Sequence, residues 1–185
     1  SEDLAIYANS FWKKWPEQLL ISFPRAFMEN MDKRSKEISL DGKIVYAIGR
    51  RESRFAPQAE SPAQAYGLLQ MIVPTAQKIA KGLGIHLKQP IQQLFKPEVN
   101  IHLGARLIKN LSLRYQKNKL LVFAAYNAGE TAVDLWEKSR KLEDSLLWVE
   151  FIPFAETRDY VKEVWRNFVV YKFLDLGGRE IAIRY

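Results

Sequence analysis

One carboxylate stands out from the sequence by its spacing. Ile44 and Ile48 lie four residues apart after Asp41-Gly42, and the next residue in that column is Glu52. On a helix, residues four apart share a face, so an acid that continues an apolar stripe is aimed inward. Glu52 also falls near the point where the helix must stop, because Phe55-Ala56-Pro57 forces the chain out of helical geometry. Burial and the negative end of a helix both disfavour an ionised carboxyl, so its pKa is expected to rise. A carboxyl still protonated near neutral pH can act as general acid toward a poor leaving group such as a sugar oxygen. Spacing alone leaves two alternatives open: an ion pair with Arg51 or Arg54, and a side chain facing solvent.

The elements that must position this acid read mainly as helices. Leu4, Phe11, Trp15 and Leu19 suggest a first helical segment from about residue 4 to 20, kinked or split at Pro16. Phe23-Pro24 opens a second stretch through Met31. Asp41 is a plausible N-cap for the helix that carries Glu52. Pro74-Thr75 begins another, which Gly82 and Gly84 can close. Pro97 fits the first turn of a long helix to about Tyr115, with Val99, Ile101, Leu103, Leu107, Ile108 and Leu111 as its stripe. Lys119 to Ala128 is too unbrokenly apolar for a surface helix and belongs in the core. Helices from about Thr131 to Lys138 and Pro153 to Phe173 follow. Strand-like material is confined to Tyr66–Ile72 and the alternating tail Glu180–Tyr185. Neither a repeat nor a linker interrupts the pattern, which describes one mostly α domain.

Composition narrows the chemistry. The 185 residues suffice for one ordinary core, and 48% are apolar. Five Trp, eight Tyr and ten Phe exceed what such a core needs. Most read as core, and the surplus suits a groove, since flat aromatic faces stack on sugars and bases alike. With no cysteine, disulfides, thiolate nucleophiles and Cys-based zinc sites are excluded together. His86 and His102 stand far apart outside any metal-ligand spacing, so no metal and no cofactor is expected. The net charge of +7 favours an anionic partner. Because Lys and Arg are scattered through the helices, nucleic acid is not expected as that partner. No apolar run reaches the roughly 20 residues of a membrane span. The Ser1-Glu2-Asp3 start lacks a signal-peptide pattern, so an exported protein would be present here in mature or trimmed form.

Four ordered blocks carry a resemblance. They are Arg51-Glu52-Ser53-Arg54-Phe55; Gly67-Leu68-Leu69-Gln70 followed by Thr75-Ala76; Ala124-Ala125-Tyr126-Asn127-Ala128-Gly129; and Phe151-Ile152-Pro153-Phe154-Ala155-Glu156-Thr157-Arg158-Asp159-Tyr160-Val161. In these the chain resembles the soluble lytic transglycosylases of bacterial cell walls, in the goose-type lysozyme-like superfamily. The resemblance implies a lysozyme-like helical domain with a very small β element lining the groove. The resemblance runs from about Phe23 to Tyr171; the domain is assigned to residues 23–185, with residues 1–22 a helical extension and a possible remnant of a larger helical region. It departs from the family pattern at Leu69, where Met is usual, at Gln64, commonly Gly, at Tyr66, typically small, and at Gly129-Glu130-Thr131, where Gly-Pro-Gly is common. Such changes reshape a groove wall without removing the acid.

The resemblance also implies roles. Glu52 matches the acid that protonates the oxygen between MurNAc and GlcNAc and then acts as base. Ser61 matches a serine near the substrate's N-acetyl group, and Gln70 a groove residue that bonds sugar; Ile72 is placed with them in substrate binding. Tyr126 matches a tyrosine near the catalytic carboxyl, Asn127 helps form that turn, and Glu156 matches an acid that contacts the bound muropeptide. Each has an ordinary alternative. Ser61 before Pro62 suits a turn, Gln70 could spend its amide on backbone, Tyr126 could be core, and Glu156 suits the first turn of a helix.

Typical glycosidases flank the scissile bond with two carboxylates, and here one acid has a convincing context. The family route supplies the rest from substrate: the 2-acetamido carbonyl stabilises C1, and the muramyl C6 hydroxyl attacks it to give a 1,6-anhydro end. Peptidoglycan strands and muropeptides are the implied partners, the periplasm or cell envelope the implied location, and a monomer the expected state. A hydrolytic muramidase using Glu156 to hold a water, and an inactive glycan-binding module, remain as alternatives.

Overall fold

Asp41 begins the helix that carries the acid: its side chain accepts from the Lys43 backbone N–H at 3.1 Å and satisfies one of the open donors of the first turn. The computed structural model describes residues 16–139 and 145–176. Its helices are α1 (Pro16–Ser22), α2 (Met28–Glu37), α3 (Gly42–Ser53), α4 (Val73–Gly82), α5 (Pro90–Leu94), α6 (Pro97–Arg114), α7 (Lys119–Ala128), α8 (Glu130–Ser139), α9 (Ser145–Glu150) and α10 (Ala155–Asp175). Between α3 and α4 lies an antiparallel hairpin of β1 (Ala65–Tyr66) and β2 (Met71–Ile72), paired Ala65 to Ile72 and Tyr66 to Met71. The fold is therefore mostly α with one very small β element.

Several elements differ from the sequence expectation. The stretch from Phe23 to Met31 is not one helix. Phe23 closes α1 through a bond from its N–H to the Leu19 carbonyl, and Phe27, at φ 53°, precedes a helix that starts at Met28. That helix was obscured because its inward stripe, Met31, Ser35 and Ile38, has a serine in the middle. The short helices α5 and α9 carry too few turns for a periodic signal. The proposed helix over residues 4–15 and the strand-like tail 180–185 lie outside the described residues.

Two apolar clusters hold the domain. The larger gathers Met31, Ile44, Ile48, Ile101, Ile108, Phe123, Tyr160, Val164 and Tyr171 from α2, α3, α6, α7 and α10. Within it α10 packs along both α3 and α7. Helix α7 is capped by Asn118, whose Oδ1 accepts from the Leu120 and Leu121 N–H groups. The smaller cluster lies under the hairpin and joins Tyr66, Met71, Ile79, Leu94 and Leu103.

The hairpin hangs on one buried amide. Asn100, on α6, accepts from the Leu69 N–H at 2.8 Å and donates Nδ2 to the carbonyls of Tyr66 and Leu94, each at 2.8 Å. Gly67 lies directly against it at φ 77°, where a Cβ would come within 2.2 Å of the Leu94 carbonyl oxygen and 2.4 Å of Asn100 Nδ2. Gly84 has a similar φ of 71° with open space around it. Gly67→Ala is therefore expected to cost roughly 3 kcal/mol or more, against about 1 kcal/mol for Gly84→Ala. Urea unfolding of the two variants separates them; equal losses would mean that Gly67 is needed only for its dihedral.

Candidate active site

Helix α3 ends at Ser53, four residues before Pro57. Arg54 and Phe55 take left-handed backbone, at φ 51° and 66°, and the Ser53 hydroxyl donates to the Leu68 carbonyl at 2.8 Å. The last turn of α3 is thus pinned to the hairpin loop, and Glu52 is held one residue inside that pin. Its column, Ile44 and Ile48, is buried, and Glu52 continues it toward α10.

There the Tyr160 hydroxyl donates to Glu52 Oε1 at 2.6 Å. The acid is partly open to solvent along its side chain, yet the space around its carboxyl is mostly protein. That burial raises its pKa from the ordinary 4.5 to about 7, against the lowering effects of the Tyr160 hydrogen bond and the Arg51 charge. Neither Arg51 nor Arg54 forms an ion pair with it; Arg51 Nε meets Glu163 Oε2 at 2.7 Å instead. Tyr160 and Tyr126 are both held well above the ordinary phenol range, first by burial and then by the Glu52 charge. Both hydroxyls therefore stay protonated and act as donors. The Tyr126 hydroxyl donates to the Leu69 carbonyl at 2.6 Å, so it supports the hairpin beside the acid, while the hydroxyl bonded to the carboxyl belongs to Tyr160.

The remaining candidates occupy the hairpin and the neighbouring helix ends. Ser61 sits in the turn before β1, its Oγ accepting from the Ala65 N–H at 3.1 Å. Gln70, at φ 45°, donates Nε2 to the carbonyls of Ala59 and Gly67 at 3.1 and 2.9 Å. Both side chains thus brace the hairpin, which is the ordinary alternative for each. Ile72 points away from buried Met71 and is 43% exposed, an apolar surface open to a ligand. Asn127, exposed at the end of α7, accepts from the buried Thr157 hydroxyl at 2.7 Å and ties α7 to the first turn of α10. Glu156 is exposed in that turn, four residues before Tyr160 and on the same side of the helix. The departures are accommodated: Gln64 takes φ 57°, and Leu69 rests on Gly104, where a Cβ would come within 2.4 Å of Leu69 Cδ1.

Three side chains that shape the site carry no site role in the sequence analysis, although two of them lie in its fourth block: Asn100, Thr157 and Tyr160. Asn100 gave the fairest signal, an amide set between Val99 and Ile101 in an apolar stripe. No cluster of three or more His, Asp or Glu suited to a metal occurs among the described residues.

Comparison with known proteins places this geometry. Residues 29–149 match the family model described as the transglycosylase SLT domain. The chain is 32% identical over 190 residues to the soluble lytic murein transglycosylase of Salmonella typhimurium, covering 99% of this chain and 29% of that protein. It is 33% identical over 172 residues to the Escherichia coli protein of the same name, covering 92% of this chain and 26% of the other. The crystal structure of the 70-kDa Escherichia coli soluble lytic transglycosylase superposes with a TM-score of 0.81 at 31% identity, over 93% of this chain and 30% of that one. A Pseudomonas aeruginosa lytic transglycosylase, solved as an inactive Glu-to-Gln mutant, superposes with a TM-score of 0.81 at 36% identity, over 89% of this chain and 27% of that one. The chain spans less than a third of the length of these relatives.

The raised pKa has a consequence for stability. Below the ordinary value of 4.5 both folded and unfolded chains hold the Glu52 proton. Between there and about 7 only the folded chain retains it, so this group lowers stability progressively as pH rises and no further above 7. Glu52→Gln is expected to be near neutral at pH 4 and stabilising by on the order of 1–3 kcal/mol at pH 8. Denaturant titrations across that range check it; a difference that does not vary with pH would contradict the buried, protonated carboxyl.

Proposed function

Because this chain belongs to the transglycosylase SLT domain family, we propose that it is a lytic transglycosylase domain that cleaves the MurNAc-GlcNAc β-1,4 bond of peptidoglycan without water. The observation that carries this reading is the carboxyl of Glu52, enclosed by protein, bonded to Tyr160 and held at a pKa of about 7. An acid so placed is protonated when substrate arrives and can part with its proton during the reaction. Its carboxyl first protonates the glycosidic oxygen, and the leaving sugar departs as the 2-acetamido group stabilises C1. The resulting carboxylate then takes the proton of the muramyl C6 hydroxyl, which closes on C1 as a 1,6-anhydro ring. The proton gained at the end replaces the one given at the start, and Glu52 returns to its initial state.

We favour a route whose second group comes from the substrate, because typical glycosidases flank the bond with two carboxylates and here, among the described residues, only Glu52 is a carboxyl enclosed by protein and bonded to a buried phenol. Ile72 and the exposed ends of α7 and α10, with Asn127 and Glu156, are the surfaces we assign to the glycan and its peptide. Ser61 and Gln70 act by shaping the hairpin wall. We assign residues 23–185 to the lysozyme-like catalytic unit, and Leu19 of the preceding segment packs into the core of its described part. The substrate places the work in the bacterial cell envelope. The relative solved as an inactive Glu-to-Gln mutant is consistent with the weight laid on Glu52.

Two variants test the assignment. Glu52→Gln is expected to lower release of soluble fragments from purified sacculi by at least ~1000-fold, with the fold and sacculus binding kept; activity within a few-fold of wild type would remove Glu52 from the centre of the mechanism. Tyr160→Phe takes away a hydrogen bond that lowers the Glu52 pKa. The alkaline limb of its pH–rate profile should therefore move to higher pH; an unmoved limb would mean that Tyr160 does not address the reacting carboxyl.

A further inference from the structure

Arg51 precedes the acid, and helical geometry turns its side chain away from Glu52. Its guanidinium nevertheless returns to the site by way of α10. The Arg51 Cζ lies 5.4 Å from the centre of the Tyr160 ring, the ring whose hydroxyl donates to Glu52 at 2.6 Å. Glu163, one turn after Tyr160 on α10, holds the guanidinium there through the 2.7 Å contact of Arg51 Nε with Oε2. Its other oxygen, Oε1, lies 3.6 Å from Arg166 Nη2. The result is a relay of fixed contacts: Arg166, Glu163, Arg51, the Tyr160 ring, the Tyr160 hydroxyl and Glu52. An exposed ion pair of this kind adds little stability by itself, so its value lies in where it holds a charge.

We propose that Arg51 is a positioning residue for the acid: clamped by Glu163 over the Tyr160 ring, it fixes the Tyr160–Glu52 hydrogen bond and supplies the positive charge that favours the carboxylate in the second half of the reaction. A cation over an aromatic face is attracted to the ring's electron density and restrains the ring that it covers. Tyr160 is buried and cannot turn without displacing its neighbours, so the restraint is passed to the hydroxyl. The same charge, within the weakly screened surroundings of the carboxyl, favours Glu52 after it has given up its proton. The charged and titratable groups that act on Glu52 or respond to its charge are Tyr160 on α10, Tyr126 on α7 and Arg51 on its own helix. Of these, Arg51 is the cation that lowers the Glu52 pKa. The proposal rests on the functional reading above for its catalytic meaning, while its physical content concerns the carboxyl alone.

The test compares Arg51→Gln and Arg51→Lys. The titration of Glu52 is followed in the free protein by carboxyl carbon NMR, with Glu52→Gln identifying the signal, and the pH–rate profile is measured on sacculi. Arg51→Gln should move both the carboxyl midpoint and the alkaline limb up by roughly half to one pH unit. Arg51→Lys, which keeps the charge, should restore most of that shift. A midpoint that stays at the wild-type position in Arg51→Gln overturns the proposal, as does an equal shift in both variants. If the midpoint moves as expected but wild type releases no fragments, the coupling stands and the functional reading falls.

Discussion

Everything in this site depends on keeping one carboxyl in a space that is mostly protein, with a phenol hydroxyl as its hydrogen-bonding partner. Enclosure alone would lock the proton on Glu52; a strong ion pair would drive it off. The carboxyl avoids both extremes because burial raises its pKa while the Tyr160 hydroxyl and the nearby Arg51 charge act in the opposite direction. The guanidinium that could have paired with it is committed to Glu163. That balance leaves an acid near neutral pH, the condition for one group to give and then accept a proton.

The rest of the structure holds the two sides of that contact in register. The packing of α10 against α3 brings Tyr160 to Glu52, and its packing against α7 places Tyr126 beside them. The hairpin closes the third side. It is attached to α3 by Ser53, to α6 by Asn100 and to α7 by Tyr126. Each attachment is a hydrogen bond between a side chain and the hairpin backbone, so a hairpin whose two strands pair at only two positions acquires a defined shape. Shape at the groove wall is thereby coupled to the helical core, and substitutions far from the acid can alter the groove through these links.

Much of the fold was legible in the sequence because its signals are local. Asp41 and Asn118 each cap the helix that follows, although only Asp41 was read that way. Pro74 and Pro97 fall in first turns, and the column Ile44, Ile48, Glu52 needs only the pitch of a helix. Helix α2 was displaced in the reading because Ser35 occupies its inward stripe, and α5 and α9 are too short to show a period. The side chains that complete the site were less legible, for a different reason. Tyr160 is 108 residues from Glu52, and Thr157 is 30 from Asn127; no spacing along the chain encodes such pairs. Gln70 and Ser61 were singled out by resemblance as sugar contacts, and the structure finds their polar groups bonded to the backbone of their own loop. A short loop with positive φ at Gln64 and Gln70 needs that bracing, and the need appears only once the turn is built.

The central claim is that Glu52 serves as both acid and base, so that the sugar's own C6 hydroxyl replaces water. Mass spectrometry of the fragments released from purified peptidoglycan tests it most directly. The account requires muropeptides one water lighter than hydrolysis products, ending in 1,6-anhydro rings. Fragments with free reducing ends would contradict it and would mean that the protein, by way of Glu156 or another group, delivers water to C1.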